Sequence, residues 1–231
     1  MKLAVIVPTL NEGHGVAEHL KTLQGLRQQG HALVVVDGGS VDDTVQRAQD
    51  WTDAVLQAPR GRASQMNAAL NAICAAQADV LLFLHADTRL PPRAAERVLE
   101  AVAGGALWGR FDVRIEGSSP WLPIIAAFMN LRSRLTGIAT GDQALFIRRS
   151  TFLDIGGFAP IKLMEDIEIS RRLRKVSAPA CLREKVSTSG RRWERHGVWR
   201  TIMLMWQLRY LYWRGVAPDE LAQRYAPHRQ D

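Results

Sequence analysis

The chain has 231 residues, of which 47% are hydrophobic and 23% are charged. This length suits one large α/β domain with a full core, and the composition excludes a disordered or repetitive protein. The net charge of +7 is uneven, because residues 171–231 carry 14 basic and 5 acidic residues whereas residues 1–170 carry 16 and 18. A basic tail on a near-neutral body indicates an anionic partner, such as phosphate groups, nucleic acid or an acidic membrane surface.

The cysteines and the first apolar run indicate a cellular compartment. Cys74 and Cys181 lack the spacing of a zinc site or a disulfide framework, which fits a reducing environment. The apolar run at residues 3–8 is too short for a signal peptide or a membrane span. We therefore expect a cytoplasmic protein.

Strand-like apolar runs alternate with helical patterns in the first half of the chain. The predicted strands are residues 2–8, 32–38, 53–58 and 79–87, and the predicted helices are 15–28, 41–50 and 62–77. This alternation predicts right-handed βαβ units, and hence an α/β fold with a mostly parallel central sheet and helices on both faces.

From residue 106 the pattern changes. A strand is predicted at 106–117, an amphipathic helix at 119–137, a turn leading into a strand at 140–152 and a helix at 163–176. Residues 191–231 are rich in arginine and aromatic residues and are predicted to be a helical basic tail.

Polar residues follow each of the first four predicted strands. Ligands of parallel α/β sheets bind at the carboxyl ends of the strands, so these residues are candidates for one site. They are Thr9, Asn11 and Glu12, then Asp37, Ser40 and Asp42, then Arg60, Arg62 and Gln65, and finally His85 and Asp87. The G-x-G-x-x-G, phosphate-loop, G-x-S-x-G and H-E-x-x-H motifs are absent from the sequence, which disfavours dinucleotide oxidoreductases, phosphate-loop NTPases, common hydrolases and zincins.

Five segments in order resemble family-two glycosyltransferases, and most closely a small bacterial subgroup with a histidine in the metal motif. The segments are VIVPTLNE, VVVDGGSVDDT, LLFLHADT, TGDQALFIRRSTFLDIGGF and LMEDIEISRRLR, and together they span roughly residues 2–176. The resemblance implies a single GT-A (Rossmann-like) domain at residues 1–190, with a nucleotide-binding part at about 1–105 and an acceptor part at about 106–190. The tail, 191–231, follows this domain.

The resemblance implies a pocket for the nucleotide of a nucleotide-diphosphate sugar. Asp37 would accept a hydrogen bond from the base, although Asp37 or Ser40 could instead cap or turn the chain before the next helix. Arg62, and less readily Arg60, would reach the diphosphate unless both are solvated surface residues. Arg191 and Arg192 are further candidates to cover the diphosphate. The full predicted donor set is Pro8, Thr9, Asn11, Glu12, Asp37, Gly38, Ser40, Arg62, Gln65, His85 and Ala86.

Asp87 is the predicted metal ligand. A divalent cation stabilises the negative charge of a departing diphosphate, and Mg²⁺ or Mn²⁺ needs few protein oxygens when phosphates supply the rest. Many relatives have D-x-D here, whereas this chain has His85-Ala86-Asp87, and an imidazole would favour Mn²⁺ over Mg²⁺. The alternative is that Asp87 and Thr88 cap the next helix.

The resemblance also implies the catalytic residues. Asp166 would be the general base of an inverting transfer, with Glu165 beside it as an orienting or metal-side group. Gly141, Asp142 and Gln143 would lie near the acceptor and the donor sugar. The competing interpretation makes Asp142 a turn residue and makes Glu165 and Asp166 an acidic first helical turn that the helix dipole favours.

The tail and the overall function each leave alternatives. Aromatic residues and arginines at 196–214 fit either peripheral contact with an anionic membrane, which would suit a lipid-linked acceptor, or packing on the core or in a homodimer. The leading function is a metal-assisted glycosyltransferase acting on an unknown acceptor hydroxyl or phosphate. The alternative is a non-catalytic protein that binds nucleotide sugars or nucleic acid; for the transferase, no nucleic acid partner is expected.

Overall fold

The computed structural model of the protein describes residues 1–225, so residues 226–231 of the predicted tail lie outside the described residues. The strands are β1 (Leu3–Thr9), β2 (Ala32–Asp37), β3 (Ala54–Gln57), β4 (Val80–Phe83), β5 (Thr88–Arg89), β6 (Trp108–Glu116), β7 (Leu145–Arg148) and β8 (Ala180–Ser189). The α-helices are α1 (Val16–Thr22), α2 (Gln24–Gln28), α3 (Thr44–Gln49), α4 (Arg62–Ala68), α5 (Ile73–Ala76), α6 (Ala94–Ala103), α7 (Leu122–Thr136), α8 (Arg149–Asp154), α9 (Glu165–Val176), α10 (Arg191–His196), α11 (Val198–Trp213) and α12 (Pro218–Tyr225).

The eight strands form one sheet in the order β3-β2-β1-β4-β7-β6-β8-β5. The first four strands are parallel to one another, β7 is antiparallel to both β4 and β6, and β6 and β8 are again parallel. The predicted α/β sheet is therefore confirmed, and its four consecutive parallel strands β1 to β4 come from the region where strand and helix patterns alternate in the sequence.

Both faces of the sheet are covered. In β1 the side chains of Leu3, Val5 and Val7 belong to one apolar cluster and those of Ala4 and Ile6 to the other, as the alternation of side chains along a strand requires. Helices α1, α3, α6 and α7 cover the first face, while α4, α5, α8 and α9 cover the second.

Two predicted helices are interrupted. The helix predicted at 15–28 is two helices, which meet at Leu23, and the one predicted at 62–77 consists of α4, a 3-10 turn and α5. Ala72 between the last two pieces is extended, with ψ of 126°, so the helical hydrogen bonds stop there. The alanine-rich composition favoured one long helix, but packing of these short pieces on the sheet decided the outcome.

The tail is helical over its described part and packs on the domain. Leu208 of α11 and Leu221 and Tyr225 of α12 form an apolar cluster with Met164, next to the start of α9. The tail is thus tied to the segment that carries the predicted base.

Candidate functional site

The carboxyl ends of the parallel strands bring the predicted donor residues together. Thr9 pairs with Asp37 across β1 and β2, and Asp37 pairs with Gln57 across β2 and β3. The loops that leave β1 and β2 are joined by hydrogen bonds: the N–H of Asn11 donates to Ser40 Oγ at 2.8 Å, and the N–H of Glu12 donates to Thr44 Oγ1 at 2.8 Å. Asn11 has a left-handed φ of 54°, a conformation that asparagine tolerates better than most residues.

Asp37 is buried, and its carboxylate organises the loop after β2. One oxygen accepts the N–H groups of Gly39 (2.9 Å) and Ser40 (2.8 Å), and the other accepts the hydroxyls of Thr9 (3.4 Å) and Ser40. These four contacts fill the usual acceptor positions of a carboxylate. The alternative that Ser40 caps the next helix is wrong, because α3 begins only at Thr44 and the Ser40 hydroxyl bonds to Asp37.

Gln65 is also buried and holds together the strand ends that form the predicted nucleotide pocket. Its side-chain nitrogen donates to the carbonyl oxygens of Thr9 (2.7 Å) and Val36 (2.8 Å), so it ties the ends of β1 and β2 together. A Cβ at Gly38 would lie 3.0 Å from the Gln65 amide carbon, so glycine lets the loop lie close to this amide. Pro8, a member of β1, pairs with Val36.

Asp87 lies exposed just beyond β4. The alternative that it caps the next helix is wrong, because α6 begins at Ala94 without a side-chain cap and Thr88 belongs to β5, where its hydroxyl donates to Thr188. Burial raises the pKa of Glu12, and the negative charge of Asp87 raises it further, so the two carboxylates lie within electrostatic reach.

The residues around Asp87 suit a divalent cation that has most of its ligands supplied by a diphosphate. In the part of the chain that the structure describes, no three His, Cys, Asp or Glu side chains cluster closely enough to hold a metal by themselves. Asp87 is exposed, and the nearby Glu12 carboxylate is disfavoured in its charged form. A divalent cation bound at this place would stabilise both negative charges. Asp87 therefore fits the role of a single protein ligand.

His85 contacts the predicted acceptor loop. Its Nδ1 lies 3.3 Å from Asp142 Oδ1, and its ring packs over Gly141, where a Cβ would come within 2.4 Å of both Cε1 and Nε2. Partial burial would raise the pKa of Asp142, but the hydrogen bond and charge of His85, together with Arg62 and Arg192, lower it to about 2. His85 thus pairs with Asp142, and the expectation that its imidazole favours Mn²⁺ stays a prediction.

Asp166 sits in the first turn of α9 and faces the same loop. Its Oδ2 accepts the Gly141 N–H at 3.1 Å and its Oδ1 accepts the Ile167 N–H at 2.7 Å. Burial raises the pKa of Asp166 from 3.8 to about 6, and the neighbouring Glu165, itself buried, contributes to the rise. The helix-dipole interpretation does not explain this value, because a helix N-terminus alone would lower the pKa.

Arg62 lies within electrostatic reach of these carboxylates. Burial would lower its pKa, but the charges of Glu165, Asp142 and Asp166 raise it. Arg60 is exposed, which agrees with the weaker expectation for it. The charge of Arg191 acts on Glu12, so this residue also lies near the site.

Gln143 supports the acceptor loop from inside the protein. It is fully buried, its Oε1 accepts the Thr140 N–H at 3.2 Å, and its Nε2 lies 3.4 Å from Asn130 Oδ1. These contacts stabilise the 3-10 turn Gly141–Gln143, which also carries Asp142.

Arg132 of α7 is a site residue that sequence reasoning missed. Its Nε and Nη2 atoms are buried and have no hydrogen-bond partner among the described residues. Burial lowers the pKa of Arg132, whereas the charge of Asp166 raises it, so this guanidinium lies within electrostatic reach of the predicted base. The sequence signal that could have identified Arg132 was the presence of an arginine on a mostly apolar predicted helix.

A parallel sheet with polar loops at its carboxyl edge, followed by an antiparallel strand and a helix bearing two carboxylates, is the arrangement of a GT-A-type fold. The chain belongs to glycosyl transferase family 2, whose family model matches residues 4–163. None of the curated proteins compared with the chain matches it.

Solved structures confirm the fold. The S. aureus TarS fragment 1–349 is 20% identical with a TM-score of 0.64, and the match covers 83% of this chain and 61% of that one. A mannosyltransferase from Pyrobaculum calidifontis in complex with GDP-Man and Mn²⁺ is 19% identical, with a TM-score of 0.59 and coverage of 80% and 56%. Glucosyl-3-phosphoglycerate synthase from Mycobacterium tuberculosis, with Mn²⁺, UDP and glucosyl-3-phosphoglycerate, is 17% identical, with a TM-score of 0.55 and coverage of 81% and 70%. The chain thus spans less than two thirds of the TarS fragment.

Proposed function

We propose that the protein is an inverting glycosyltransferase that moves a sugar from a nucleotide-diphosphate sugar to an acceptor hydroxyl or phosphate. The observation that carries the proposal is the environment of Asp166. Its carboxylate is held by the N–H groups of Gly141 and Ile167 in a cleft that His85 also lines, and its pKa of about 6 suits a general base.

In this reaction an acceptor oxygen forms a bond to the anomeric carbon while the bond from that carbon to the diphosphate breaks. Asp166 takes the acceptor proton, and the nucleoside diphosphate leaves with the bonding electron pair. Arg62, near the start of α4, would stabilise the departing diphosphate together with Arg191 and Arg192.

A divalent metal, Mn²⁺ or Mg²⁺, is part of the proposal. When bound it would neutralise charge on the diphosphate, and Asp87 would hold it with the phosphates. The similar mannosyltransferase and glucosyl-3-phosphoglycerate synthase structures contain Mn²⁺ with GDP-Man or UDP, which supports a metal and a nucleotide-sugar donor here.

Asp37 and Gln65 then act on the nucleotide pocket by shaping it. Their hydrogen-bonding atoms contact the loop and the strand ends, so the direct contacts to the nucleotide would come from backbone groups and from the exposed Asn11. Arg132, with unpartnered nitrogens near Asp166, would lie on the acceptor side, where it favours an acceptor with a negative charge.

The test compares Asp87→Asn and Asp166→Asn with Asp50→Asn, an exposed aspartate at the end of α3, as the control. Thermal shifts with UDP, GDP, CMP, dTDP and ADP, each with Mn²⁺, Mg²⁺ or EDTA, identify the nucleotide. Release of that nucleotide diphosphate from its sugar donors then measures turnover.

We expect Asp87→Asn to lose the metal-dependent shift, Asp166→Asn to keep it but lose turnover, and Asp50→Asn to match wild type. Retained turnover in Asp166→Asn would show that Asp166 is not the base. A complete lack of nucleotide-induced shift in wild type, together with salt-sensitive binding of RNA or DNA, would favour the non-catalytic alternative.

A further inference from the structure

Helix α7 carries a row of large apolar side chains that face solvent. They recur every three or four residues, so they lie along one side of the helix. The row is Trp121, which precedes the helix, then Ile124, Phe128, Leu131 and Leu135, each between 44% and 77% exposed. The other side of α7 packs on the sheet through Leu122 and Ala126, so the exposed row is not needed to hold the helix in place.

Helix α11 repeats this arrangement. Its row has the same spacing and consists of Trp199, Met203, Trp206, Tyr210 and Trp213, each between 55% and 76% exposed. The inner side of α11 packs through Leu208 on the cluster that includes Met164. Both helices are therefore apolar on two sides, and only one side of each is used inside the protein.

The two rows meet. The rings of Trp121 and Trp199 are 5.2 Å apart at 62°, an edge-to-face contact at the beginning of both helices. We call the ten side chains together the apolar face. Contiguous exposed apolar surface of this extent marks an interaction site on a protein.

The charges around the apolar face identify its partner. Neither α7 nor α11 contains an acidic residue, and α11 carries Arg200 and Arg209 and is followed by Arg214. On the inner side of α11, where Tyr212 packs, a separate groove of about 530 Å³ is lined by Tyr212 and residues of α9, which are Glu168, Arg171, Arg172, Arg174 and Lys175. In the groove Arg172 pairs with Glu168 at 2.6 Å, and Arg171 is hydrogen-bonded to Tyr212.

We propose that the apolar face docks on the surface of an anionic lipid bilayer, with its tryptophans in the headgroup region and the surrounding arginines on lipid phosphates. Tryptophan and tyrosine favour the membrane interface, and arginine near the surface adds electrostatic attraction. A second copy of the chain fits less well, because a two-fold interface would bring these arginines together without acidic partners on either helix. None of the described helices is long and apolar enough to cross a membrane, so the docking is peripheral.

The docking stands apart from the proposed transferase activity, because it is measured without substrate. The 231-residue chain is sedimented with phosphatidylcholine vesicles and with vesicles that contain about 30% phosphatidylglycerol. The face variant is Phe128→Glu with Trp206→Glu. The matched control is Ile73→Glu with Leu153→Glu, which changes two side chains that are 75% and 49% exposed on α5 and α8.

We expect wild type and control to bind the anionic vesicles about tenfold more tightly than the neutral ones, and the face variant to lose at least about tenfold in binding. Arg200→Gln with Arg214→Gln should weaken binding to anionic vesicles only and should flatten its salt dependence. Equal loss in the control, or no vesicle binding by wild type, would refute the proposal. Light scattering that shows a dimer disrupted only by the face variant, without vesicle binding, would assign the face to a second copy instead.

Discussion

Replacing Asp166 by asparagine should make the protein more stable at neutral pH while it abolishes transfer. In the folded chain this carboxyl has a pKa of about 6, raised from 3.8 mainly by burial and then by Glu165. The ionised form is therefore disfavoured by folding, and a neutral amide of the same shape removes that cost. Active-site carboxylates commonly reduce stability in this way.

The magnitude follows from proton linkage. A group whose pKa is raised on folding stabilises the protein fully below its unfolded pKa, and this contribution is lost as the pH rises through the folded pKa. At about 1.4 kcal/mol per tenfold change in proton affinity, Asp166 contributes at most about 3 kcal/mol, of which about 2 kcal/mol is lost between about pH 4.5 and 7.5. The asparagine forfeits one of the two backbone hydrogen bonds, from Gly141 or Ile167, which costs about 1 kcal/mol.

The assay is urea unfolding at both pH values for wild type, Asp166→Asn and the exposed control Asp50→Asn. We expect Asp166→Asn to be about 1–2 kcal/mol more stable than wild type near pH 7.5 and to lose that advantage near pH 4.5, since the penalty of about 1 kcal/mol that remains there is offset by the lost hydrogen bond. Asp50→Asn should show no such pH-dependent difference. If Asp166→Asn is destabilised equally at both pH values, the argument that folding disfavours the charged carboxylate is refuted.

Three further substitutions test the site and the sheet. Arg132→Gln removes a positive charge near the base, so the acid limb of turnover should move to higher pH; an unmoved limb would separate Arg132 from the base. Gly141→Ala places a Cβ 2.4 Å from the His85 ring and should reduce turnover by at least about tenfold, whereas Gly15→Ala, where a Cβ meets no atom within 4 Å, should retain wild-type turnover. Gly109→Ala places a Cβ 2.3 Å from a backbone oxygen and should lower the free energy of unfolding by about 1–3 kcal/mol, measured in urea; unchanged stability would contradict this packing.

The parallel half of the fold could be predicted from the sequence because three of its four strands, β1, β2 and β4, are buried on both faces. A continuous apolar run such as that of β4 is visible without any tertiary information. The strand β8, with the sequence ACLREKVSTS, was not predicted, because six of its ten residues are polar or charged and its partner β6, paired with a register shift after Phe111, lies some 70 residues earlier. The two-residue β5 exists only through its pairing with β8.

The candidate site was predictable residue by residue but not as a set of contacts. Motif order placed Asp87, Asp142 and Asp166 in one region, yet no spacing rule shows that His85 contacts Asp142 across 57 residues. Residue type alone also does not show whether a polar side chain faces the pocket or bonds to the protein backbone. Gln65 is as polar as Asn11, but burial directs its amide to backbone carbonyls.

The pairing of His85 with Asp142 suggests why a histidine suits the position where many relatives have an acidic residue. A carboxylate at position 85 would face the Asp142 carboxylate, and the two negative charges would repel. His85 instead donates to Asp142 and packs over Gly141, and the Gly141 N–H donates to Asp166. One short chain of contacts thus runs from the end of β4, beside the proposed metal ligand, to the proposed base. Any change that moves His85 should therefore disturb the metal side and the acceptor side of the site together.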